Sequence, residues 1–160
     1  TDIMKLPPRK SSEPIIDKSQ WKLIFFYAIV IGSVSTGAVV FNHYVYHNGE
    51  PWDTAMCNNI LFFTLIFCQL FHVFNMGSGP FFNNEAIKNK YIGYSVIGSI
   101  VSLLGVIQIP YARQALNVIP MTLNEWMIIV VAAVSSVVII QVARSLNFFS
   151  NKVQQHKIKV

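Results

Sequence analysis

The chain has 160 residues, of which 53% are hydrophobic and only 12% are charged, with a mean hydropathy of +0.48. A soluble domain usually has about twice this charged fraction, so the composition excludes a disordered chain and argues against an ordinary water-soluble globule. Two cysteines exclude a disulfide scaffold, and the net charge of +5 matters through the positions of its Lys and Arg residues.

Four segments are apolar over roughly the 20 residues that a membrane-spanning helix needs. None of them contains Asp, Glu, Lys or Arg, whereas soluble core helices rarely run so long without a charge on their outer face. Strands of this length are uncommon, so we interpret all four segments as helices. The predicted spans are residues 23–41, 55–75, 91–109 and 126–143.

The basic residues lie almost entirely on one side of these spans. Eleven of the twelve Lys and Arg residues precede the first span, separate the second from the third or follow the fourth, and the remaining one is Arg113. Positively charged connections stay in the cytoplasm, so we predict an all-α membrane protein with four transmembrane helices and both termini cytoplasmic. Residues 1–22 are then a cytoplasmic loop and residues 144–160 a cytoplasmic basic tail. We interpret the basic ends as contacting the lipid bilayer and not nucleic acid.

The second span is the most polar of the four, and its polar residues follow helical spacing. One stripe consists of Cys57, Thr64, Cys68, His72 and Asn75, with Gln69 beside it. Polar side chains at membrane depth need partners, so this stripe should face protein or a water-filled cavity. One hypothesis places Gln69, with Asn75, near an ion path, because an amide carbonyl is a hard oxygen ligand for a cation. Interhelical hydrogen bonding is the other explanation, and the commoner one.

Other residues of the spans favour structural roles over chemistry. His72 also admits a metal or haem role in a membrane redox enzyme, but haem between helices usually has a second histidine at similar depth, and His43 lies at the opposite end of its span. In the third span Gly98, Ser102 and Gly105 share one face, which predicts close helix packing. The sequence contains no P-loop, phosphorylation segment or other catalytic motif, so we expect neither catalysis nor a bound cofactor from this chain alone.

Three motifs resemble the C-terminal membrane region of P-type cation-transporting ATPases, in the same order along the chain. The opening DIMKLPPR, followed by EPII at residues 13–16, resembles the loop before the seventh membrane helix. Residues 63–75 resemble the eighth helix, in which F-x-x-x-x-x-Q-x-x-x-x-x-N is common, and residues 120–126 resemble the start of the tenth. Leu6 departs from a usual basic residue, and the Gly-Ser-Gly at 77–79 departs from a usual basic turn.

The resemblance implies a non-catalytic C-terminal support domain, which braces the transport helices of an ATP-driven pump and lines part of its ion path. It implies that the parent pump uses ATP and Mg²⁺ and that its upstream transport and cytoplasmic domains are partners. Ca²⁺ is the favoured cargo, with Na⁺, K⁺, H⁺ and Mn²⁺ as the alternatives. In this family the eighth helix supplies one side chain near an ion site, and Gln69 matches that position as an ion-path residue and metal ligand. The alternative is a free-standing tetraspan accessory or scaffold protein without a transport role. Because the chain opens at Thr1 in a polar loop, we expect it to be cut from a longer protein.

Overall fold

The described part of the chain is built from helices and their connections. The computed structural model describes residues 18–46, 51, 53–76 and 85–145, so most of the predicted loop at 1–22 and of the tail at 144–160 lies outside it. Three helices are long and apolar enough to cross a membrane. The six helices are α1 (Lys18–Phe41), α2 (Thr54–His72), α3 (Glu85–Lys88), α4 (Lys90–Val106), α5 (Pro110–Ala115) and α6 (Leu123–Ser145).

The all-α prediction is confirmed, and three of the four predicted spans are helices of membrane length. The third predicted span, 91–109, is shorter than expected, because α4 ends at Val106 and the chain turns before Pro110 starts α5. At 1.5 Å per residue α4 is about 26 Å long, slightly less than a typical hydrocarbon core. By contrast α1 continues into a π-helical turn, Asn42–Tyr46, and α2 ends in a 3₁₀ turn, Val73–Asn75.

Acidic side chains fix the start of two long helices. The Asp53 carboxylate accepts hydrogen bonds from the backbone N–H groups of Ala55 at 2.9 Å and Met56 at 3.1 Å, which caps α2. At the start of α6, Glu125 Oε2 accepts from the Thr122 backbone N–H at 2.5 Å and from its hydroxyl at 3.0 Å. A glutamate that reaches back three residues to a threonine is one half of a capping box, and it starts α6 three residues before the predicted span.

The core lies where α1, α2 and α6 pack against one another, with α4 against the side of this unit. Trp126 of α6 packs on Phe63 of α2, with ring centroids 5.0 Å apart, and Ile100 and Leu103 of α4 contact the same core. The buried apolar side chains of this core on the three helices are Ile31 and Ala38 on α1, Ile60, Phe63, Phe67 and Cys68 on α2, and Ile129 and Ala133 on α6. The main neighbours of α2 are thus α1 and α6, α4 makes a smaller contact, and part of the surface of α2 stays exposed.

Large apolar side chains cover the outside of the bundle. Phe25 and Ile29 on α1, Val101 on α4, and Val131 and Val138 on α6 are all exposed at the surface of the chain. So much exposed apolar surface is unusual for a protein in water and ordinary for one in a bilayer, where lipid or further membrane helices cover it. The long helices are multi-pass membrane helices.

Candidate functional site

The polar stripe of α2 faces the neighbouring helices. Thr64, Cys68 and Asn75 are buried, and Cys57 and His72 are half-buried. Their spacing puts them on the side of α2 that packs against α1 and α6. These polar groups therefore lie against protein, which is where side chains at membrane depth find partners.

Small polar side chains from three helices meet at the middle of this stripe. The Cys68 thiol lies beside the hydroxyls of Ser35 on α1 and Ser136 on α6, and all three residues are at most 1% exposed. Ser136 Oγ also donates to the carbonyl of Ala133 at 2.7 Å, within its own helix. Small residues let membrane helices approach closely, so this layer favours tight packing of α1, α2 and α6.

At the C-terminal end of α2 an arginine joins the helices; we call this group the Arg144 cluster (Tyr27, His72, Asn75, Val137 and Arg144). Arg144 Nη1 of α6 donates to the backbone carbonyl of Asn75, and Asn75 Nδ2 donates to the carbonyl of Val137 at 3.5 Å. Tyr27 of α1 packs edge-on against His72, with ring centroids 4.4 Å apart, and Arg144 lies near both rings. A cation at the C-terminus of α2 is favoured by the helix dipole.

Several buried polar atoms on this side of the bundle have no hydrogen-bond partner within the described residues. Thr64 Oγ1, His72 Nδ1, Asn75 Oδ1 and the Gln141 Oε1 of α6 are among them. Buried polar groups nearly always have a partner, so near Arg144 we expect water or protein beyond the described segments to bind His72 Nδ1, Asn75 Oδ1 and Gln141 Oε1. The Arg144 cluster therefore contacts α1, α2 and α6 and still has two polar atoms, His72 Nδ1 and Asn75 Oδ1, that can form a further hydrogen bond.

Gln69 lies on a different face of α2. It is exposed, because one residue along the helix turns it by about 100° from Cys68. Three further exposed residues precede it on the same helix: Asn58, Phe62 and Leu65. Successive residues from Asn58 to Gln69 are four, three and four positions apart, which is helical spacing. These four residues form one stripe, which we call the outer stripe. Its first three residues line an open cleft of about 320 Å³ beside the turn that follows α5.

The three predicted ion-path residues are thus divided between two faces of α2. Gln69 lies on the outer stripe, whereas Asn75 is buried in the Arg144 cluster and His72 is half-buried beside Tyr27. In the part of the chain that the structure describes, no three His, Cys, Asp or Glu side chains are grouped so that they could hold a metal. The role of Gln69 as an ion ligand stays a prediction, as do those of His72 and Asn75 near the ion path.

The predicted packing residues of α4 lie on an open surface. Gly98, Ser102 and Gly105 are exposed, and a Cβ added at either glycine would meet nothing within 4 Å. Their role in close packing stays a prediction that applies to a helix beyond the described residues. Within the described chain, the residues that pack the helices closely are Ser35 and Ser136, which the sequence analysis did not single out.

Arg144 is the residue of this site that the sequence analysis missed as a structural element. The sequence analysis uses it only to predict topology, although a basic residue in the last turn of a helix also indicates binding to helix carbonyls. Both α2 and α6 were predicted to end in the cytoplasm, and a basic side chain there can bind the carbonyls of a neighbouring helix end.

Comparison with known proteins gives two matches across most of the chain. Residues 1–146 match the family described as cation transporting ATPase, C-terminus. The calcium-transporting ATPase of Bacillus subtilis (strain 168) is 30% identical over 131 residues, which are 81% of this chain and 14% of that relative. The chain therefore spans a small part of the length of the relative that it matches. No solved structure matches it.

Proposed function

Because the chain belongs to the family of cation-transporting ATPase C-terminal domains, we propose that it is the non-catalytic support domain of an ATP-driven P-type cation pump. Its helices brace the transport helices of that pump, and α2 lines part of the ion path. The upstream domains of the same pump bind ATP and Mg²⁺ and carry out the chemistry. The partners of the chain are those domains, the transported cation and the lipid bilayer.

The close packing of α1, α2 and α6 supports the bracing role. The buried layer of Ser35, Cys68 and Ser136 brings three helices together, and Arg144 joins two of them again at one end. A unit held at two levels resists sliding of its helices, which is the property that a support for moving transport helices needs.

The exposure of Gln69 is the observation that carries the proposed contact with the ion path. An amide facing lipid would be left without hydrogen bonds, which is costly at membrane depth. Gln69 lies on the outer stripe and is exposed within the described residues. A transport helix that packs on this stripe would give the amide a partner and bring its carbonyl oxygen to a cation site.

The proposed cargo is Ca²⁺. The Bacillus subtilis relative is a calcium-transporting ATPase, and the amide oxygen of Gln69 is a ligand type that Ca²⁺ accepts. One neutral oxygen binds a divalent cation weakly, so most of the ligands would come from the upstream helices. ATP-dependent uptake into inverted vesicles of the pump, compared among Ca²⁺, Mn²⁺ and Na⁺, tests the assignment, and uptake without a preference for Ca²⁺ contradicts it.

The variant Gln69→Ala in the whole pump tests the ion-path role. We expect the cation affinity to fall by about tenfold, equivalent to roughly 1.4 kcal/mol, with little change in protein level. Gln20→Ala is the matched control, because it removes an exposed amide of the same size from the start of α1 and should leave the cation affinity unchanged. Equal affinities in Gln69→Ala and wild type would assign Gln69 to helix contact alone.

The proposed topology has four spans, including the short α4, and both termini in the cytoplasm. It rests on the one-sided distribution of the basic residues. Cysteines introduced one at a time as Glu50→Cys and Lys152→Cys, in a background with Cys57→Ser and Cys68→Ala, should react with an impermeant maleimide from opposite sides of the membrane. Reaction from the same side would overturn this topology.

The reading frame before Thr1 tests whether the chain is part of a pump. A continuous upstream frame that encodes a DKTGT phosphorylation segment would support the proposal. A start codon and its ribosome-binding site directly before Thr1 would favour the tetraspan scaffold instead.

A further inference from the structure

The connection between α4 and α6 is an ordered hook. Pro110 is the first residue of α5, a position where its fixed φ favours a helix and its missing N–H is not needed. The helix ends with the Val118 N–H bonded to the Arg113 carbonyl at 2.9 Å and the Asn117 N–H bonded to the Gln114 carbonyl at 3.1 Å. This pair of bonds is a Schellman motif, and Asn117 takes the left-handed conformation that it requires, with φ of 50°. The hook therefore fixes the direction of the side chains that follow its helix.

Arg113 is held on this hook with most of its guanidinium available. Its Nε donates to the carbonyl of Ile107 at 3.3 Å, and Ile107 is itself buried in the core. Within the described residues this is the one hydrogen bond of the side chain. The N–H groups of its two terminal amino groups can therefore donate to a ligand. A guanidinium fixed in this way loses little freedom when it binds an oxyanion.

Two open clefts flank this guanidinium, and they differ in character. Gln108 and Arg113 line both clefts. The first has a volume of about 270 Å³ and adds the amides of Gln114 and Asn117. The second has about 260 Å³ and adds mainly apolar side chains, including Trp126. Both clefts thus combine polar atoms with apolar side chains, and the amide donors of Gln114 and Asn117 lie in the first.

The described carboxylates at this end of the bundle accept hydrogen bonds at the starts of their own helices. Asp53 accepts from two backbone N–H groups of α2, and Glu125 accepts from Thr122 at the start of α6. Arg113 is meanwhile the sole Lys or Arg between residues 91 and 143. An anion that approaches the first cleft therefore meets a guanidinium and amide donors.

We propose that the hook binds the phosphate of an anionic phospholipid headgroup. Arg113 donates to the phosphate oxygens, with the amides of Gln114 and Asn117 beside it, and an acyl chain lies against Trp126 and the other apolar side chains of the second cleft. Tyr111, which is 84% exposed, and Leu116 lie on the same hook, and such side chains are typical of the membrane interface. A phosphodiester matches a guanidinium through paired, charge-assisted hydrogen bonds.

Native mass spectrometry of the whole chain, released from bilayer discs of phosphatidylcholine with phosphatidylglycerol, tests the proposal. We expect retention of phosphatidylglycerol over phosphatidylcholine, and a roughly tenfold weaker retention in Arg113→Gln. Lys90→Gln is the matched control, because it removes one exposed positive charge elsewhere and should retain the lipid as wild type does. Equal retention in Arg113→Gln and Lys90→Gln would overturn the proposal.

A second variant separates lipid binding from folding. Asn117→Gly keeps the left-handed turn, where glycine is favoured, and removes one amide from the first cleft. We expect wild-type thermal stability with weaker retention of phosphatidylglycerol, and wild-type retention in this variant would contradict the proposed contact. A third measurement compares inorganic phosphate with phosphatidylglycerol, each added separately to the chain in detergent. If phosphate protects the chain against unfolding as well as phosphatidylglycerol does, the site binds a free anion and the lipid assignment is wrong.

Discussion

The two polar faces of α2 carry similar side chains and meet different surroundings. On the inner face Thr64, Cys68 and Asn75 are buried against α1 and α6, whereas on the outer stripe Asn58 and Gln69 are exposed. About 100° of rotation separates the two faces. Polar residues in a membrane helix thus have two distinct uses, since one set holds the domain together and the other is available to the rest of the pump.

Contacts from other helices determine which face of α2 is buried and which is exposed. Ser35 and Ser136 meet the inner face at its middle, and Arg144 binds it at its end. No equivalent group from α1 or α6 lies over Gln69 in the described structure. The inner face therefore contributes to stability, and we expect the outer stripe to contribute to cation affinity.

The sharpest test of this comparison uses two adjacent phenylalanines of α2. Phe63 is fully buried against Trp126, whereas Phe62 is 38% exposed on the outer stripe. We expect Phe63→Ala to lower the free energy of unfolding by about 3 kcal/mol, because it leaves a cavity among packed helices. Unfolding of the purified chain by increasing dodecyl sulfate in mixed micelles measures this change.

Phe62→Ala is the matched control on the other face. It removes the same side chain from a surface that stays open, so we expect a change of less than about 1 kcal/mol. Similar losses in both variants would show that the two faces are packed alike, and the division of α2 would be wrong.

The second prediction concerns the end of the inner face. Arg144→Gln removes a charged donor from the Asn75 carbonyl, together with the favourable cation at the end of α2. We expect a loss of about 2 kcal/mol in the same unfolding assay, smaller than that of Phe63→Ala. Arg144→Lys keeps the charge and should recover part of the loss, whereas a fully wild-type stability in Arg144→Gln would show that the cluster adds nothing.

The sequence was sufficient for the helices and for the existence of a polar stripe. Long uncharged segments predicted four spans, three of which are helices of membrane length, and the spacing of Thr64, Cys68 and Asn75 predicted that they share a face. The start of α6 was less accurate, because the bonds of Glu125 to Thr122 extend the helix beyond its apolar segment. Helix caps act outside the hydrophobic pattern and therefore shift helix ends.

The features that the sequence could not supply depend on contacts between distant residues. The third predicted span ends at residue 109, whereas the structure ends α4 at Val106 and begins a second helix, α5, at Pro110, because proline is favoured at the first position of a helix. The bond from Arg144 to Asn75 joins residues 69 positions apart, and no local pattern specifies it. The sequence placed Gln69 beside the polar stripe, yet only the positions of α1 and α6 show that it lies outside their contact.

The smallest expected effect is that of Thr64→Val on the inner face. Thr64 is fully buried and its hydroxyl has no hydrogen-bond partner within the described residues. Valine has nearly the same shape and lacks the hydroxyl, so we expect the free energy of unfolding to change by less than about 0.5 kcal/mol and the cation affinity of the pump to stay the same. A loss of more than about 1 kcal/mol would instead show that water or an upstream segment binds this hydroxyl. A fall in cation affinity at unchanged stability would extend the ion path to the inner face, because a purely structural hydroxyl cannot alter binding in that way.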